Sequence, residues 1–338
     1  MVFAPALAYD LLVEPCQRMG VALQTIPGIV NRYKDDKSFD VWGTVADVVP
    51  YALELPHVLS RVEEVVRREK PDLVVTDFEP ILPRAAARCD VPFISVNHQH
   101  LLVVADLSEL PADLRWHAAV MSVGVRALYS GQVHTVVSAF YPFKLKRPYL
   151  NQVTHAGVFL RPAVKQAATR VDDHLAVYLR RGAPSSMLDA LDGLGPPARV
   201  YGLPERGRRG KLEFLPVDAD AFADDLASAR ALVTTAGNQI VGEALYHGKP
   251  VFALPEPKNY EQYINAHHLA KMGAGDWLPI EECRTEHLRD FLKRFEPAPR
   301  HHGSDGTSTA VRCIERELRG QSTPAWEKRR FPDAFEFA

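Results

Sequence analysis

Residues 231–266 read ALVTTAGNQIVGEALYHGKPVFALPEPKNYEQYINA, and this stretch decides the fold that we predict for the chain. The apolar run over 231–235 predicts a β-strand that ends in a turn at Gly237, and a helix with Glu243 in its early turns follows at once. A second apolar run over 250–254 predicts another strand, which stops at Pro255 before a polar loop and a further helix. Strands that alternate with helices in this way are typical of an open, parallel α/β sheet.

The loops of this stretch have the chemistry of a nucleotide pocket. A glycine turn lets backbone N–H groups approach a phosphate closely, and the N-terminus of a helix favours negative charge. A carboxylate one or two turns into that helix, here Glu243, can accept both hydroxyls of a ribose. Because ligands of open α/β sheets lie just outside the carboxyl ends of the strands, these loops are where such a ligand is expected.

The spacing resembles the donor-binding motif of GT-B glycosyltransferases. The closest group is the one related to the family 28 transferase that adds N-acetylglucosamine to the lipid-linked cell-wall precursor. In that motif a glycine turn is followed by E-A, G-x-P, a proline-ended strand and Q-x-x-N-A. The matching residues here are Gly237, Glu243-Ala244, Gly248, Pro250, Pro255, Gln262, Asn265-Ala266 and Gly273-Ala274. The turn Ala236-Gly237-Asn238 departs from the paired glycines that relatives often have.

The resemblance, which extends more loosely from Pro71 to Arg319, implies an α/β protein with two Rossmann-like, doubly wound domains that face a cleft. We place an N-terminal, acceptor-side domain at 1–157, a linker at 158–171 and a nucleotide-sugar-binding domain at 172–304. A C-terminal helix at 305–319 and a tail at 320–338 follow. Relatives begin with a strand, a histidine-containing glycine-rich loop and a helix. Residues 1–5 resemble the second strand of that domain, so we expect the first β-α unit to be missing, either because the start is assigned too late or because the chain lacks the unit.

Composition agrees with a two-domain globular protein. The 338 residues fit the prior of roughly 100–200 residues per domain, and the net charge of −2 gives no electrostatic argument for a nucleic-acid partner. Four scattered cysteines, without metal-ligand spacing, are interpreted as free thiols of a reducing compartment. No apolar run reaches the about 20 residues needed to span a bilayer, and no signal-peptide pattern is present. We therefore expect a cytoplasmic protein.

The same alternation of strands and helices continues on both sides of the central stretch. Strands are predicted at 21–26, 72–77, 91–96, 135–138, 174–179, 199–201, 213–215, 231–235 and 251–254. Helices are predicted at 45–70, 85–88, 114–129, 186–194, 221–227, 241–247 and 305–319, the last capped by Asp305. The continuous apolar core of 72–77 predicts a strand buried on both faces. Residues 31–39 read as a loop and 155–171 as a connector.

The resemblance assigns donor-binding roles along the second domain. Gly237 and Asn238 would present backbone donors to the diphosphate, and Glu243 would hold the ribose hydroxyls. Glu261 and Gln262 would face the hydroxyls of the donor sugar, since a carboxylate and an amide suit recognition of a diol. Each also has a purely structural interpretation: a tight turn, a carboxylate that offsets the helix dipole, and a solvated loop. Asn265 is interpreted as a structural brace of that loop.

Two further loops of the second domain carry donor-side candidates. Arg180 and Arg181 follow its first strand, where the family places a loop near the donor phosphates, and a guanidinium fork pairs with two phosphate oxygens. Their alternative is a surface basic pair. Tyr201 ends the next strand and, by resemblance, borders the base pocket.

Polar residues that end two neighbouring strands of the first domain are candidates for the catalytic base. Asp77 ends one of these strands, and His98 and His100 follow the other. An inverting transferase needs a carboxylate or a histidine to take the proton of the acceptor hydroxyl. The alternative is that these side chains cap strands or orient loops, and the usual base of the family lies in the loop that we expect to be missing.

The sequence predicts neither a metal nor a cofactor besides the nucleotide-sugar donor, which is a substrate. His301-His302 lies in a loop rich in proline and glycine and is interpreted as solvated. Lys144, Lys146 and Arg147 form a basic cluster that could contact the inner face of a membrane if the acceptor is a lipid, at about 1 kcal/mol for each cation.

We therefore predict a metal-independent, inverting glycosyltransferase of glycan or cell-envelope biosynthesis. It would move a hexosyl or N-acetylhexosaminyl group from a UDP-sugar to an acceptor hydroxyl, on either a lipid-linked compound or a glycan. Two alternatives stay open. One is a UDP-sugar 2-epimerase of the same fold, and the other is a non-catalytic nucleotide-sugar-binding protein, should the first β-α unit be absent.

Overall fold

The computed structural model describes residues 1–27, 41–180, 183–298 and 304–320, and it describes only the backbone over 41–53. Four of the sequence-based interpretations therefore lie wholly or largely outside the described residues. They are the loop at 31–39, the site residue Arg181, the pair His301-His302 and the tail.

The first half of the chain forms two parallel sheets with helices between the strands. Its elements are β1 (Val2–Pro5), α1 (Ala6–Arg18), β2 (Leu23–Ile26), α2 (Val41–Glu69), β3 (Val74–Thr76), α3 (Ile81–Arg88), β4 (Phe93–Asn97), α4 (Leu101–Val104), α5 (Ala112–Leu128), β5 (His134–Ser138) and β6 (Val153–Ala156). The strands β1 and β2 pair with each other, and β3-β4-β5-β6 form a four-stranded sheet in that order.

The second half forms a seven-stranded sheet. Its elements are α6 (Pro162–Gln166), β7 (Leu175–Tyr178), α7 (Ser185–Asp192), β8 (Ala198–Tyr201), β9 (Gly207–Arg209), β10 (Leu212–Phe214), α8 (Ala219–Ser228), β11 (Ala231–Thr234), α9 (Asn238–Tyr246), β12 (Val251–Ala253), α10 (Tyr260–Lys271), β13 (Gly275–Trp277), α11 (Thr285–Arg294) and α12 (Thr307–Leu318). The strand order is β13-β12-β11-β7-β8-β10-β9, and only β9 runs antiparallel to its neighbour.

Local chemistry explains where several helices begin. The carboxylate of Asp218 accepts the N–H groups of Asp220 and Ala221 and thereby caps α8. Asp305 was predicted to cap the last helix, yet the residue at the cap position is Gly306. The Asp305 carboxylate still accepts the N–H group of Thr307 at 3.0 Å, so it satisfies one of the unpaired donors of that helix terminus.

The strand β3 corrects one prediction. It was expected to be buried on both faces, but 43% of Val75 is exposed. The reason is position, because β3 is the edge strand of its sheet and its apolar side chains are not covered on both sides. The sequence analysis also missed α1, α4, β6, α6, β9, β13 and α11. The strand β6 illustrates why, because its polar Thr154 and His155 interrupt the apolar run on which a buried strand is recognised.

The two halves share one apolar core. The largest buried cluster joins Leu101 and Tyr141 of the first half to Ala236, Ile264 and Leu269 of the second. The helix α12 returns to the first half, where its Ala310 and Cys313 pack against β4 and β5. Apolar contacts from both sides of the linker at 158–171 therefore hold the two halves against each other. All four cysteines are unpaired, as expected, and none of the helices described has the length and apolarity to cross a membrane.

The segment that follows β6 lies directly on α9. A Cβ atom added at Gly242 would come within 2.4 Å of a Val158 methyl carbon, so only glycine permits this approach. We expect Gly242→Ala to lower the free energy of unfolding by about 1–3 kcal/mol, because overpacking forces side chains or backbone to shift. Urea unfolding measures the change. Adding Val158→Ala should restore part of the loss, and a loss that Val158→Ala leaves unchanged would contradict this packing explanation.

The packing of α12 on the first sheet depends on a neutral histidine. The Nδ1 atom of buried His134 lies 3.2 Å from a guanidinium nitrogen of Arg316, and its Nε2 lies 2.9 Å from the Thr154 hydroxyl. Burial, and then the Arg316 charge, lowers the pKa of His134 to about 4. The unfolded chain, in which this pKa is near its ordinary value, therefore binds a proton more readily than the folded one.

Acidification should consequently destabilise the protein. As the pH falls from about 6.5 to about 4, we expect His134 to remove about 1–3 kcal/mol of the free energy of unfolding. Urea unfolding at pH 7 and pH 5 tests this. The variant His134→Gln, which keeps a hydrogen-bonding side chain but cannot titrate, should show a smaller pH dependence, and an unchanged slope would remove His134 from the explanation.

Candidate functional site

The carboxyl ends of β7, β11 and β12, which are neighbours in the sheet, carry most of the donor-side residues named from the sequence. Gly237 stands between β11 and α9, Asn238 is the first residue of α9, and Arg180 follows β7. Gln262 lies in the first turn of α10, after the loop that leaves β12. Strand order thus brings residues up to 82 positions apart in sequence, Arg180 and Gln262, to the same end of the strands.

The turn before α9 differs from the glycine turn that the sequence suggested. The residue with positive φ is Ala236, at +64°, whereas Gly237 has an ordinary φ of −64°. A non-glycine residue in the left-handed region costs roughly 1–2 kcal/mol, and such strain persists where the surrounding structure enforces it. Here Ala236 is fully buried and its carbonyl accepts the Asn265 amide at 3.0 Å. The turn is therefore held by a contact from α10.

Glu243 is buried and already paired. Its side chain is 2% exposed and binds Arg161 in a fork: Arg161 Nε donates to Oε1 at 3.0 Å and Nη2 donates to Oε2 at 2.9 Å. The amide of Gln239, one turn earlier on α9, also donates to Oε1, at 2.9 Å. The hydrogen bonds with Glu243 raise the pKa of Arg161. Binding of ribose by Glu243 stays a prediction. The ribose hydroxyls would have to compete with Arg161 for the Glu243 oxygens.

Gln262 and Arg180 meet at one carboxylate. The Gln262 side-chain oxygen accepts the backbone N–H of Glu256 at 2.7 Å, and its amide donates to the Glu256 carboxylate at 3.0 Å. Arg180 lies 3.5 Å from the same carboxylate. Asn259 caps α10 and so sets the direction of Gln262. The predicted sugar-binding amide and the predicted phosphate-binding cation therefore belong to one network, with Glu261 beside Gln262 on α10 and partly exposed.

Tyr201 points away from the strand ends. It is 1% exposed, its hydroxyl donates to Asp225 of α8, and its ring packs edge-on against Phe222. Burial, reinforced by that hydrogen bond, raises its pKa. These contacts leave the ring no open face toward a base, so its predicted place at the base pocket gains no support from the geometry.

Asn238 and Asn265 tie the two halves together across the cleft. The Asn238 amide donates to the Ser138 carbonyl at 3.1 Å, and its side-chain oxygen accepts the Phe140 N–H at 3.2 Å. Asn265 is fully buried, and its side-chain oxygen accepts the Tyr141 hydroxyl at 3.2 Å. Asn265 is structural, as predicted, but it was expected to brace the loop before α10, and its partners are instead the turn at Ala236 and the first half. The strand ends of the two sheets consequently meet at side chains of the donor motif.

The three candidates for a catalytic base have different surroundings. His98 stands between the halves, with Nδ1 2.7 Å from the Ser138 carbonyl and Nε2 3.2 Å from the Asn265 side-chain oxygen. His100 is buried beneath it, its Nε2 lies 2.8 Å from the Tyr129 carbonyl, and burial lowers its pKa. Asp77 is an exposed residue, but the surrounding protein removes part of the water around its carboxyl, and this loss of solvation raises its pKa.

The surroundings of His98 bear on what it can do chemically. A carbonyl oxygen can only accept, so Nδ1 carries a hydrogen, and Nε2 faces a second oxygen. For Nε2 to take a proton from an acceptor hydroxyl, the contact with Asn265 must open. His100, held by backbone and side-chain partners on every side, has the geometry of a structural residue.

Two of the three cations in the proposed membrane cluster have partners within the chain. The Lys146 ammonium donates to the Val103 carbonyl at 2.9 Å, and Lys144 lies 3.9 Å from Glu109. Among the described residues, no group of three or more histidine, cysteine, aspartate or glutamate side chains could hold a metal ion.

The structure adds residues that the sequence analysis did not name. Arg161, Gln239 and Glu256 hold the predicted donor-binding side chains, and Tyr141 stacks on His268 with ring centroids 4.0 Å apart. Arg161 lies in a segment that was read as a connector, 82 positions from its partner. No local pattern marks such a residue, because its role depends on a contact between distant parts of the chain.

The interdomain role of Asn265 is testable. We expect Asn265→Ala to lower the free energy of unfolding by about 1–3 kcal/mol, because the buried Tyr141 hydroxyl and Ala236 carbonyl lose their partner. Chemical denaturation measures the change, and exposed Gln166→Ala is the control, expected to stay within about 0.5 kcal/mol. Equal stability of the two variants would show that Asn265 does not hold the halves together.

Comparison with known proteins places this geometry in a family. The model of glycosyl transferase family 1 matches residues 12–296. The calicheamicin glycosyltransferase CalG4 has a TM-score of 0.59 at 19% identity, covering 95% of this chain and 91% of its own. MurG of Acinetobacter baumannii has a TM-score of 0.56 at 15% identity, covering 93% and 90%. No curated protein sequence matches the chain.

A third structure, LpCGTa in complex with UDP, has a TM-score of 0.54 at 15% identity and covers 96% of this chain and 88% of its own. At such identities the likeness shows the fold alone. The prediction of a GT-B glycosyltransferase fold, made from the motif around Glu243, is thereby confirmed. The donor-binding and catalytic roles of individual residues stay predictions.

Proposed function

Because the chain belongs to glycosyl transferase family 1, we propose that it transfers a sugar from a UDP-sugar to the hydroxyl of an acceptor, with inversion at the anomeric carbon. The observation that carries this proposal is the arrangement at the carboxyl ends of the central strands of the second sheet. There a buried carboxylate, Glu243, lies on the helix whose N-terminus follows the turn at Ala236. A nucleoside diphosphate presents ribose hydroxyls, which a carboxylate can accept, and phosphates, which the N-terminus of a helix favours.

The donor would lie along the carboxyl ends of β7, β11 and β12. Its diphosphate would face the first N–H groups of α9, which no side chain caps. Arg180, half exposed beside Glu256, can swing toward the same place. These groups can offset the charge of the leaving nucleoside diphosphate, which supports a reaction that needs no metal. The Gln262–Glu256 pair would face the hydroxyls of the donor sugar, a hexosyl or N-acetylhexosaminyl group.

The acceptor would enter from the first domain. Direct displacement requires a base on the acceptor side of the cleft, and His98 is the candidate whose position between the halves supports that role. Opening and closing of the cleft would break and remake the contact between His98 and Asn265, so that the ring becomes a base only when the acceptor is in place. We also propose that the enzyme works in the cytoplasm, on a lipid-linked or glycan acceptor at the inner membrane face.

Binding of UDP tests the donor site. We expect calorimetric titration to show that the wild-type chain binds UDP and that Glu243→Ala weakens binding by about 1–3 kcal/mol, through lost hydrogen bonds to the ribose. The matched control is Glu286→Ala, an exposed carboxylate on α11, which should bind as the wild type does.

The alternative results are distinct. If the wild-type chain binds neither UDP nor another nucleoside diphosphate, the donor site and the function proposed here fall together. If it binds UDP and Glu243→Ala binds equally well, the nucleotide site stands and the role of Glu243 is wrong.

A further inference from the structure

Among the described residues outside α9, only Arg161 pairs with the Glu243 carboxylate. It lies just before α6, in the segment that connects the two sheets, and reaches across to α9. The Arg161 side chain is 38% exposed while the Glu243 side chain is 2% exposed, so Arg161 covers Glu243 on the side that faces solvent. A ligand that approaches Glu243 from solvent therefore meets Arg161 first.

Counting acceptor positions shows what the pair does to the site. A carboxylate has two oxygens with about four lone-pair positions in total. Arg161 takes one position on each oxygen, and Gln239 takes the second position on Oε1. One position on Oε2 remains. The two hydroxyls of a ribose need two, so the diol cannot be fully bound while Arg161 and Gln239 both keep their hydrogen bonds.

We propose that Arg161 is a latch on the ribose subsite: its ion pair with Glu243 closes that subsite, and nucleotide binding replaces the guanidinium with the ribose hydroxyls. This inference rests on the proposed function, since it presumes that Glu243 is the ribose ligand. Arg161 thereby sets the affinity of the enzyme for its donor without contributing to the chemistry.

The surroundings of Arg161 allow it to leave. Its backbone is fixed at the start of α6, where its carbonyl accepts the Lys165 N–H at 3.2 Å, but the long side chain can rotate about that point. The third guanidinium nitrogen, Nη1, already lies 3.4 Å from the Ala219 carbonyl at the start of α8. Next to it, the negative charge of Asp220 adds to the hydrogen bonds of Glu243 in raising the pKa of Arg161. The released cation would keep a carbonyl, a carboxylate and solvent as partners.

The latch makes a prediction opposite in sign to simple electrostatics. A cation near a nucleoside diphosphate normally strengthens binding, so its removal should weaken affinity. If Arg161 closes the subsite, its removal raises the fraction of binding-competent protein, and the apparent dissociation constant falls by that factor. For a partly exposed pair we expect Arg161→Met to bind UDP about three- to tenfold more tightly than the wild type.

The experiment is calorimetric titration of UDP and of uridine into the full chain and three variants. Arg161→Met should tighten both ligands by the same factor, because the effect acts on the ribose and does not involve the phosphates. Arg161→Lys keeps the charge but loses the fork, so its affinities for both ligands should lie between those of the wild type and of Arg161→Met. Arg294→Met removes an arginine of another ion pair in the same domain, with Asp276, and should leave both affinities unchanged within about twofold.

A double variant separates the latch from a general charge effect. In the Glu243→Ala background the subsite has no carboxylate to cover, so adding Arg161→Met should no longer tighten UDP binding. Circular dichroism checks that each protein is folded, and if Arg161→Met does not fold, Arg161→Lys carries the test alone.

Every outcome decides between the proposals. Weaker or equal binding of UDP by Arg161→Met, with a wild type that binds UDP, overturns the latch and leaves the proposed function standing. Tighter binding of UDP without tighter binding of uridine also overturns it, because the effect would then involve the phosphates. If neither the wild type nor any variant binds UDP, the donor-site assignment itself is wrong and the latch falls with it.

Discussion

The buried charge of Glu243 is the constraint on which the site depends. An ionised carboxylate removed from water has to be paired and hydrogen-bonded, because an unpaired buried charge costs several kcal/mol or more. The chain meets this requirement with Arg161 from the connecting segment and with Gln239 from α9 itself. The path of the connecting segment follows, because Arg161 can reach Glu243 only if that segment lies on α9, and Gly242 provides the space for Val158 there.

A second constraint acts between the halves. Parallel strands from two sheets end at the cleft, and their loops expose backbone groups that need partners when water is excluded. Asn238 and Asn265 supply these partners from the second half, to Ser138, Phe140 and Tyr141 of the first. The same contacts hold His98 and the strained turn at Ala236. The donor motif, the interdomain contacts and the candidate base therefore belong to one hydrogen-bonded network. A substitution in one of them should change the geometry of the others.

This coupling gives a physical account of how donor binding could prepare the acceptor side. The N-terminus of α9, which would face the diphosphate, is also the place where Asn238 holds the first domain. Under the proposed function, a diphosphate at this terminus would lie beside the interdomain hydrogen bonds, and His98 takes part in the same network. In the proposed mechanism, a domain motion that opens and remakes these bonds would exclude water from the reacting centre and complete the site only when both substrates are present.

The sequence by itself determined the fold. Local periodicity along the chain indicated alternating strands and helices, and hence the α/β class. The GT-B fold followed from the resemblance of the motif around Glu243, with its G-x-P and Q-x-x-N-A spacing, to the donor-binding motif of that fold. It did not determine the edge exposure of Val75, the short strands interrupted by polar residues, or the direction of Tyr201, since these depend on what packs against each element. Only the tertiary structure decided the state of the candidate site. Arg161 on Glu243, Glu256 between Gln262 and Arg180, and Asn265 beneath His98 are contacts between segments far apart in sequence, and no local pattern encodes which distant side chain will satisfy a buried polar group.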